Sequence, residues 1–174
     1  MRYKALFFGL LATTVLAVGN PAGAEDARVG VLMPTSGGAA KSGQETLEAV
    51  KLAVDIINNV YDIDLPFART KGLPNHGGAK VKMFTEDHGG RPERGQAIAE
   101  RLITQDKVHI LQGAFHSSVA SPSSQVAEKM GIPYVTGTSE SPALTARGFK
   151  TFFSATPTAN DIARDFFTFL KEIR

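Results

Sequence analysis

The chain has 174 residues, 43% of them hydrophobic, and a formal net charge of +2 at pH 7. That is enough apolar material for one buried core and too small a basic excess for a nucleic-acid partner or a polybasic membrane contact. Cysteine is absent, which excludes a disulfide framework, a thiolate metal site and a cysteine lipid anchor.

Residues 1–24 read as an export signal. Arg2 and Lys4 precede an apolar run from Ala5 to Val18, followed by Gly19, Pro21 and the small residues Ala22-Gly23-Ala24. This order predicts a secretory signal peptide cleaved before Glu25. The apolar run is shorter than the ~20 residues needed to span a bilayer, which argues against a membrane anchor. A periplasmic product, free in solution and close to neutral, is the expectation. Residues 25–174 then form a single domain that buries roughly 70% of the surface its unfolded chain exposes.

Arg28 to Met33 is a β-branched run ending in Pro34-Thr35-Ser36-Gly37-Gly38, a buried strand that stops in a loop. From Gly43 to Val60, Leu47, Val50, Val54 and Ile57 recur three or four apart, which predicts an amphipathic helix. Tyr61 to Gly78 is rich in Pro and Gly and reads as an irregular surface excursion with a solvated His76. Val81, Met83 and Thr85 alternate with Lys80, Lys82 and Phe84 in a second strand, closed by the turn Asp87-His88-Gly89-Gly90.

Pro92 opens a helix with Ile98, Leu102 and Ile103 on its apolar side. Val108 to Leu111 is a third strand, and a helix runs to Met130 with Ser117 and Ser118 as N-cap candidates. Pro122 fits that helix only if it begins near there. Ile132 to Val135 reads as a fourth strand and Thr151 to Phe153 as a fifth. Asn160 to Arg174 reads as a final helix with Ile162, Phe166, Phe169 and Leu170 turned inward. Strands alternating with helices at this spacing imply an α/β fold, a doubly wound parallel sheet with helices on both faces.

In such sheets ligands lie beyond the carboxyl ends of the strands, which singles out Pro34 to Ser42, Gly113 to Ser118 and Thr136 to Ser141. The first loop ends in Lys41-Ser42 but has Ala40 and Thr35 where a phosphate-binding loop needs glycine, so nucleotide binding is not expected. Its glycines instead allow backbone N–H groups to approach a small ligand. Ser117 and Ser118 set two hydroxyls and free amides at a helix start, suited to a carboxylate. Thr138, Ser139 and Glu140 offer hydroxyls, carbonyls and a negative charge to an amide or ammonium. His116 beside Ser117 lacks the Gly-x-Ser-x-Gly elbow of a serine hydrolase. His76, His88, His109 and His116 show no paired metal spacing. No enzyme, cofactor or metal centre is expected.

At these residues the chain resembles the solute-binding proteins of ABC importers for branched-chain amino acids, the Leu/Ile/Val-binding protein family of type I periplasmic binding proteins. The resemblance runs from Val29 to the last helix. It rests on Val29-Gly30-Val31-Leu32 with Ser36-Gly37, the Asp87 turn with Pro92, Gly113 to Ser118, Gly131-Ile132-Pro133, and above all Ser141-Pro142-Ala143-Leu144-Thr145-Ala146-Arg147-Gly148-Phe149. It implies a flavodoxin-like strand order and a two-lobed protein of which this chain carries the N-terminal lobe, with the second lobe absent.

Carried over residue by residue, the resemblance places the contact to a ligand's carboxylate and ammonium at Ser117, with Ser118 beside it. It places further contacts at Thr138 and Glu140, with Ser139 between them. Phe115 in the same loop joins the candidate ligand-binding set. Ser42 falls where an aromatic commonly lines the cleft, and Glu140 where a small hydroxyl residue is usual. The implied ligand is an amino acid, an amide or a related small carboxylate, and the implied partner is an inner-membrane ABC permease. A ligand-sensing domain of a receptor and a non-functional truncated fragment are the alternatives. A lone lobe is expected to expose an apolar face and to dimerise or dissolve poorly.

Overall fold

A computed structural model describes residues 24–173; the proposed signal peptide lies outside the described residues, apart from Ala24. In chain order the elements are β1 (Ala27–Met33), α1 (Ala40–Asn58), β2 (Val81–Asp87), α2 (Pro92–Thr104), β3 (Ile110–Gly113), α3 (Ser117–Lys129), β4 (Tyr134–Thr136), α4 (Pro142–Thr145), β5 (Phe152–Ser154) and α5 (Ala159–Glu172). The five strands form one parallel sheet in the order β2-β1-β3-β4-β5. Right-handed crossovers in that order put α1 on one face and α2, α3 and α4 on the other.

The second face holds the core. Leu32, Ile98, Leu102, Leu111, Val119, Ala120, Ala127, Tyr134 and Leu144 are buried together there. The helices α2 and α3 cross closely because Gly95 carries no side chain, and a Cβ on it would stand 2.2 Å from Val119 Cγ1. Tyr134 stacks on Phe152, with centroids 5.8 Å apart, and shares a 3.0 Å hydrogen bond with the Ser123 hydroxyl.

Asn58 joins the end of α1 to the start of β2. Its amide donates to the Val81 carbonyl at 2.8 Å and its oxygen accepts the Val81 N–H at 2.7 Å. Between them, residues 61–78 form the expected excursion, with one 3-10 turn at Pro74–His76.

Several expectations need correction. The helix α1 begins at Ala40, not Gly43, which brings Ser42 inside it. The strands β3 and β4 each start two residues later than their apolar runs suggest, because Val108 and Ile132 serve the core from the approach to the strand. Ser117 and Ser118 are not N-caps. His116 takes that position without a side-chain cap, and the two serines are the first helical residues. Pro122 lies inside α3, where it forfeits one hydrogen bond to the preceding turn. The short helix α4, opened by Pro142, has too few residues for periodicity to reveal it.

The helix α5 forms, with Thr158 as its cap in a reciprocal capping box with Asp161. Its apolar side is not inward, however. No residue of α5 is buried, and Ile162, Phe166, Phe169 and Leu170 are 45%, 55%, 55% and 37% exposed. Amphipathicity shows that a helix has an apolar side and says nothing of what meets it. Cover on the α1 face is likewise partial. That helix packs over β1 and β2, while Phe153, pointing away from the core on β5, stays 53% exposed.

Candidate functional site

The carboxyl ends of β1 to β4 and the loops that follow them form the candidate site. Asp87, the last residue of β2, organises the nearest loop. Its carboxylate accepts the Thr35 N–H at 2.9 Å, the Ser36 N–H at 3.3 Å, the Ser36 hydroxyl at 2.5 Å and the Gly89 N–H at 2.9 Å. Burial alone would raise its pKa, but the Ser36 hydroxyl and the amides of Gly89, Thr35 and Ser36 outweigh that and hold it at about 2. The amides of Thr35 and Ser36 therefore serve an internal carboxylate. These two amides are thus occupied, whereas the expectation for the loop concerned its glycines, Gly37 and Gly38.

The next two loops lock onto each other. Ser139 is buried, and its hydroxyl donates to the Ala114 carbonyl. The Thr138 hydroxyl reaches the same carbonyl at 3.4 Å, and the Ser139 N–H donates to Thr136 Oγ1 at 3.1 Å. Across the gap, the Ser117 hydroxyl accepts the Ser141 N–H at 3.4 Å. The structure thus gathers Ser117, Thr138 and Ser139 from sequence positions more than twenty residues apart. Ser118 and Glu140 are exposed beside them. Backbone places Glu140 as well, since its carbonyl accepts the Ala159 N–H at 2.9 Å. Phe115 is half-buried, edge to face with His116 at 5.3 Å between centroids. Ser42 sits in the first turn of α1, where its carbonyl accepts the Thr46 hydroxyl at 2.8 Å.

Two further residues matter that the sequence motifs do not assign. Arg147 fastens α4 to α3. Its guanidinium donates to the Leu144 carbonyl at 2.9 Å, the Ser121 carbonyl at 3.0 Å and the Ser124 hydroxyl at 2.9 Å, and it lies over the Phe149 ring at 4.1 Å. His88 is fully buried against His116 of the loop after β3. Burial first, then the positive field of His116 and Arg94, lowers its pKa to about 4, although Asp87 pulls the other way. The only local signal for either is position, His88 in the turn after β2 and Arg147 in the Ser141 to Phe149 segment.

The depressed His88 value has a sign in acid. Stability from keeping this imidazole neutral is present in full above the unfolded pKa, near 6.5, and is lost as the pH falls toward 4. Between about pH 7 and pH 5 the chain should lose roughly 2 kcal/mol through this group, a loss that His88→Leu should abolish. Urea midpoints of both proteins at the two pH values give the comparison. Parallel slopes would show that His88 carries no proton linkage.

Fold and site together define a class: an α/β lobe with hydroxyls, backbone carbonyls and a helix N-terminus gathered at the carboxyl ends of its strands, where parallel sheets carry their ligands. Residues 26–173 match the family model described as periplasmic binding protein. The chain is 30% identical over 168 residues to the Leu/Ile/Val-binding protein homolog 8 of Brucella suis, covering 95% of this chain and 38% of that protein. It is 30% identical over 128 residues to an amino acid binding protein of Pseudomonas aeruginosa, covering 74% of this chain and 31% of the relative. Among solved structures, an ABC transporter substrate-binding protein from Desulfitobacterium hafniense in complex with Leu superposes with a TM-score of 0.71 at 25% identity, over 85% of this chain and 39% of that one.

The chain belongs to the periplasmic binding protein family, a family of solute-binding proteins. It spans well under half the length of the relatives it matches. Among the described residues no helix is long and apolar enough to cross a membrane.

Proposed function

We propose that this chain is the N-terminal lobe of the substrate-binding component of an ABC importer, exported by residues 1–24 and working in the periplasm. It captures an amino acid, an amide or a related small carboxylate and delivers it to an inner-membrane permease. The observation that carries this reading is the convergence of the Ser117 hydroxyl, the N-terminus of α3 and the loop from Thr138 to Ser141 beyond the ends of β3 and β4. Helix amides and a hydroxyl suit the carboxylate of a solute, and the carbonyls of the facing loop suit an ammonium or amide. Glu140 adds a negative charge near the second group.

Of the residues expected to bind ligand, Ser117, Ser118, Thr138 and Glu140 remain the proposed contacts. Ser139 acts by holding the two loops together, Phe115 lines the side of the site, and Ser42 leaves a small wall near α1. Supporting a second lobe is the bare apolar side of α5, which follows β5 and finds no partner among the described residues.

Ser117→Ala, in a chain extended through the second lobe, should weaken solute binding by about 1 to 3 kcal/mol, because the lost hydroxyl leaves a buried charge short of a donor. Isothermal titration calorimetry with L-leucine measures it. An unchanged affinity would remove Ser117 from the site.

A further inference from the structure

Two buried imidazole nitrogens, His88 Nε2 and His116 Nδ1, have no hydrogen-bond partner. The rings come from different loops, after β2 and after β3, yet stand edge to face with centroids 5.7 Å apart and planes at 79°. His88 is fully buried, and its Nδ1 accepts the Gly90 N–H at 3.0 Å. In a neutral imidazole the accepting nitrogen bears no proton, so the His88 proton sits on Nε2. That makes Nε2 a sealed donor in need of an acceptor, a costly state while unmatched. His116 Nδ1 is the complementary group if its own proton sits on Nε2.

Gly90 makes the close approach feasible. A Cβ there would lie 3.3 Å from His116 Cε1 and 3.5 Å from His116 Nε2, so the His116 ring lies over bare backbone. His116 is only half-buried, at the head of α3 and next to Ser117. With Nδ1 sealed in, the opposite edge of the ring is the one turned outward. The charged neighbours favour a neutral His88: Asp87 is already saturated by the loop amides, and Arg94 approaches from α2.

We propose that His88 donates its Nε2 proton to His116 Nδ1 and so holds His116 in the Nε2–H tautomer, making His116 an additional N–H donor beside Ser117 for the carboxylate of the captured solute. His88 is a positioning residue, with no contact to solute, and His116 is a specificity residue, since an N–H donor favours a carboxylate over an ammonium or a neutral methyl at that place. The solute half of this inference rests on the proposed function. The tautomer half does not.

The test is nitrogen-15 NMR of the histidine rings in the full chain, at about pH 8, above the ordinary histidine range. His116 is expected as Nε2–H by about ten to one over Nδ1–H, the bias that one net hydrogen bond supports. His88→Gln, which keeps an N–H donor, should retain the bias, and His88→Leu should relax it to the mixture of free imidazole. Mixed tautomers at His116 in the unmodified chain overturn the proposal without recourse to any variant. L-leucine is then added as the probe to a chain extended through the second lobe. Movement of both the His116 Nε2 and the Ser117 amide signals supports the donor role. Movement of Ser117 alone overturns that role and leaves solute capture standing, whereas movement of neither overturns both.

Discussion

Asp87→Ala should cost the folded chain about 2 to 4 kcal/mol, because it removes one acceptor from four donors at once. Hydrogen bonds to a charged group contribute roughly 1.5 to 3 kcal/mol each, but the four share one carboxylate and are not additive. Solvent also reaches the site, where the Asp87 side chain is 22% exposed, so some freed amides find water. Asp87→Asn keeps an acceptor oxygen and should recover about half of the loss.

Acid acts on the same group in a defined window. The folded pKa of about 2 lies below the ordinary value of 3.8, so the stabilisation is present above that value and disappears as the pH falls through it toward 2. Urea unfolding of the full chain and the two variants, at neutral pH and near pH 3, would show it. An Asp87→Ala midpoint equal to that of the unmodified chain would mean that Thr35, Ser36 and Gly89 hold their turns without the carboxylate. Because this clamp fixes the loop before α1 against the end of β2, its loss should also loosen residues 34–39, which lead into the first turn of α1 where Ser42 sits.

Arg147→Ala is expected to be as damaging, about 3 kcal/mol, through a different mechanism. The guanidinium reaches two carbonyls and a hydroxyl at 2.9 to 3.0 Å while lying over two aromatic rings, Phe149 at 4.1 Å and Phe152 at 5.1 Å. Removing it leaves partly buried acceptors unpaired and strips the cation from the ring faces. Arg147→Lys should rescue little, since an ammonium lacks the planar fork that serves three acceptors.

The consequence extends to the candidate site. The helix α4 follows directly on the loop from Thr138 to Ser141, and Arg147 ties it to α3, whose head carries Ser117. Hydrogen exchange should therefore quicken across residues 137–146 and at β5 in Arg147→Ala, with α2 and β1 left protected. A fall in protection spread evenly over the chain would instead indicate global destabilisation. Glu128 supplies a second fastening at the far end of α3, where its carboxylate accepts the N–H groups of Lys150 and Thr151, each at 2.9 Å. It can keep β5 in register when Arg147 is lost.

What the sequence by itself determined was the class of fold and the strand ends that carry the candidate site. The periodic residues of α1 and α2 and the β-branched run of β1 mark an alternating α/β chain, because local spacing reports which side of an element is apolar. Parallel winding then confines the site to the carboxyl ends of the strands, and Ser117 and Thr138 do lie there. Only the tertiary structure decided what those polar residues do. Asp87 and Ser36 stand 51 residues apart, Ser117 and Ser141 24 apart, and Arg147 and Ser121 26 apart. A serine or aspartate in a loop reads alike whether it faces solvent, a solute or a neighbouring loop. The same limit explains α5: its stripe of Ile162, Phe166 and Phe169 is plain in the sequence, but burial requires a partner surface, and long-range packing alone supplies or withholds one.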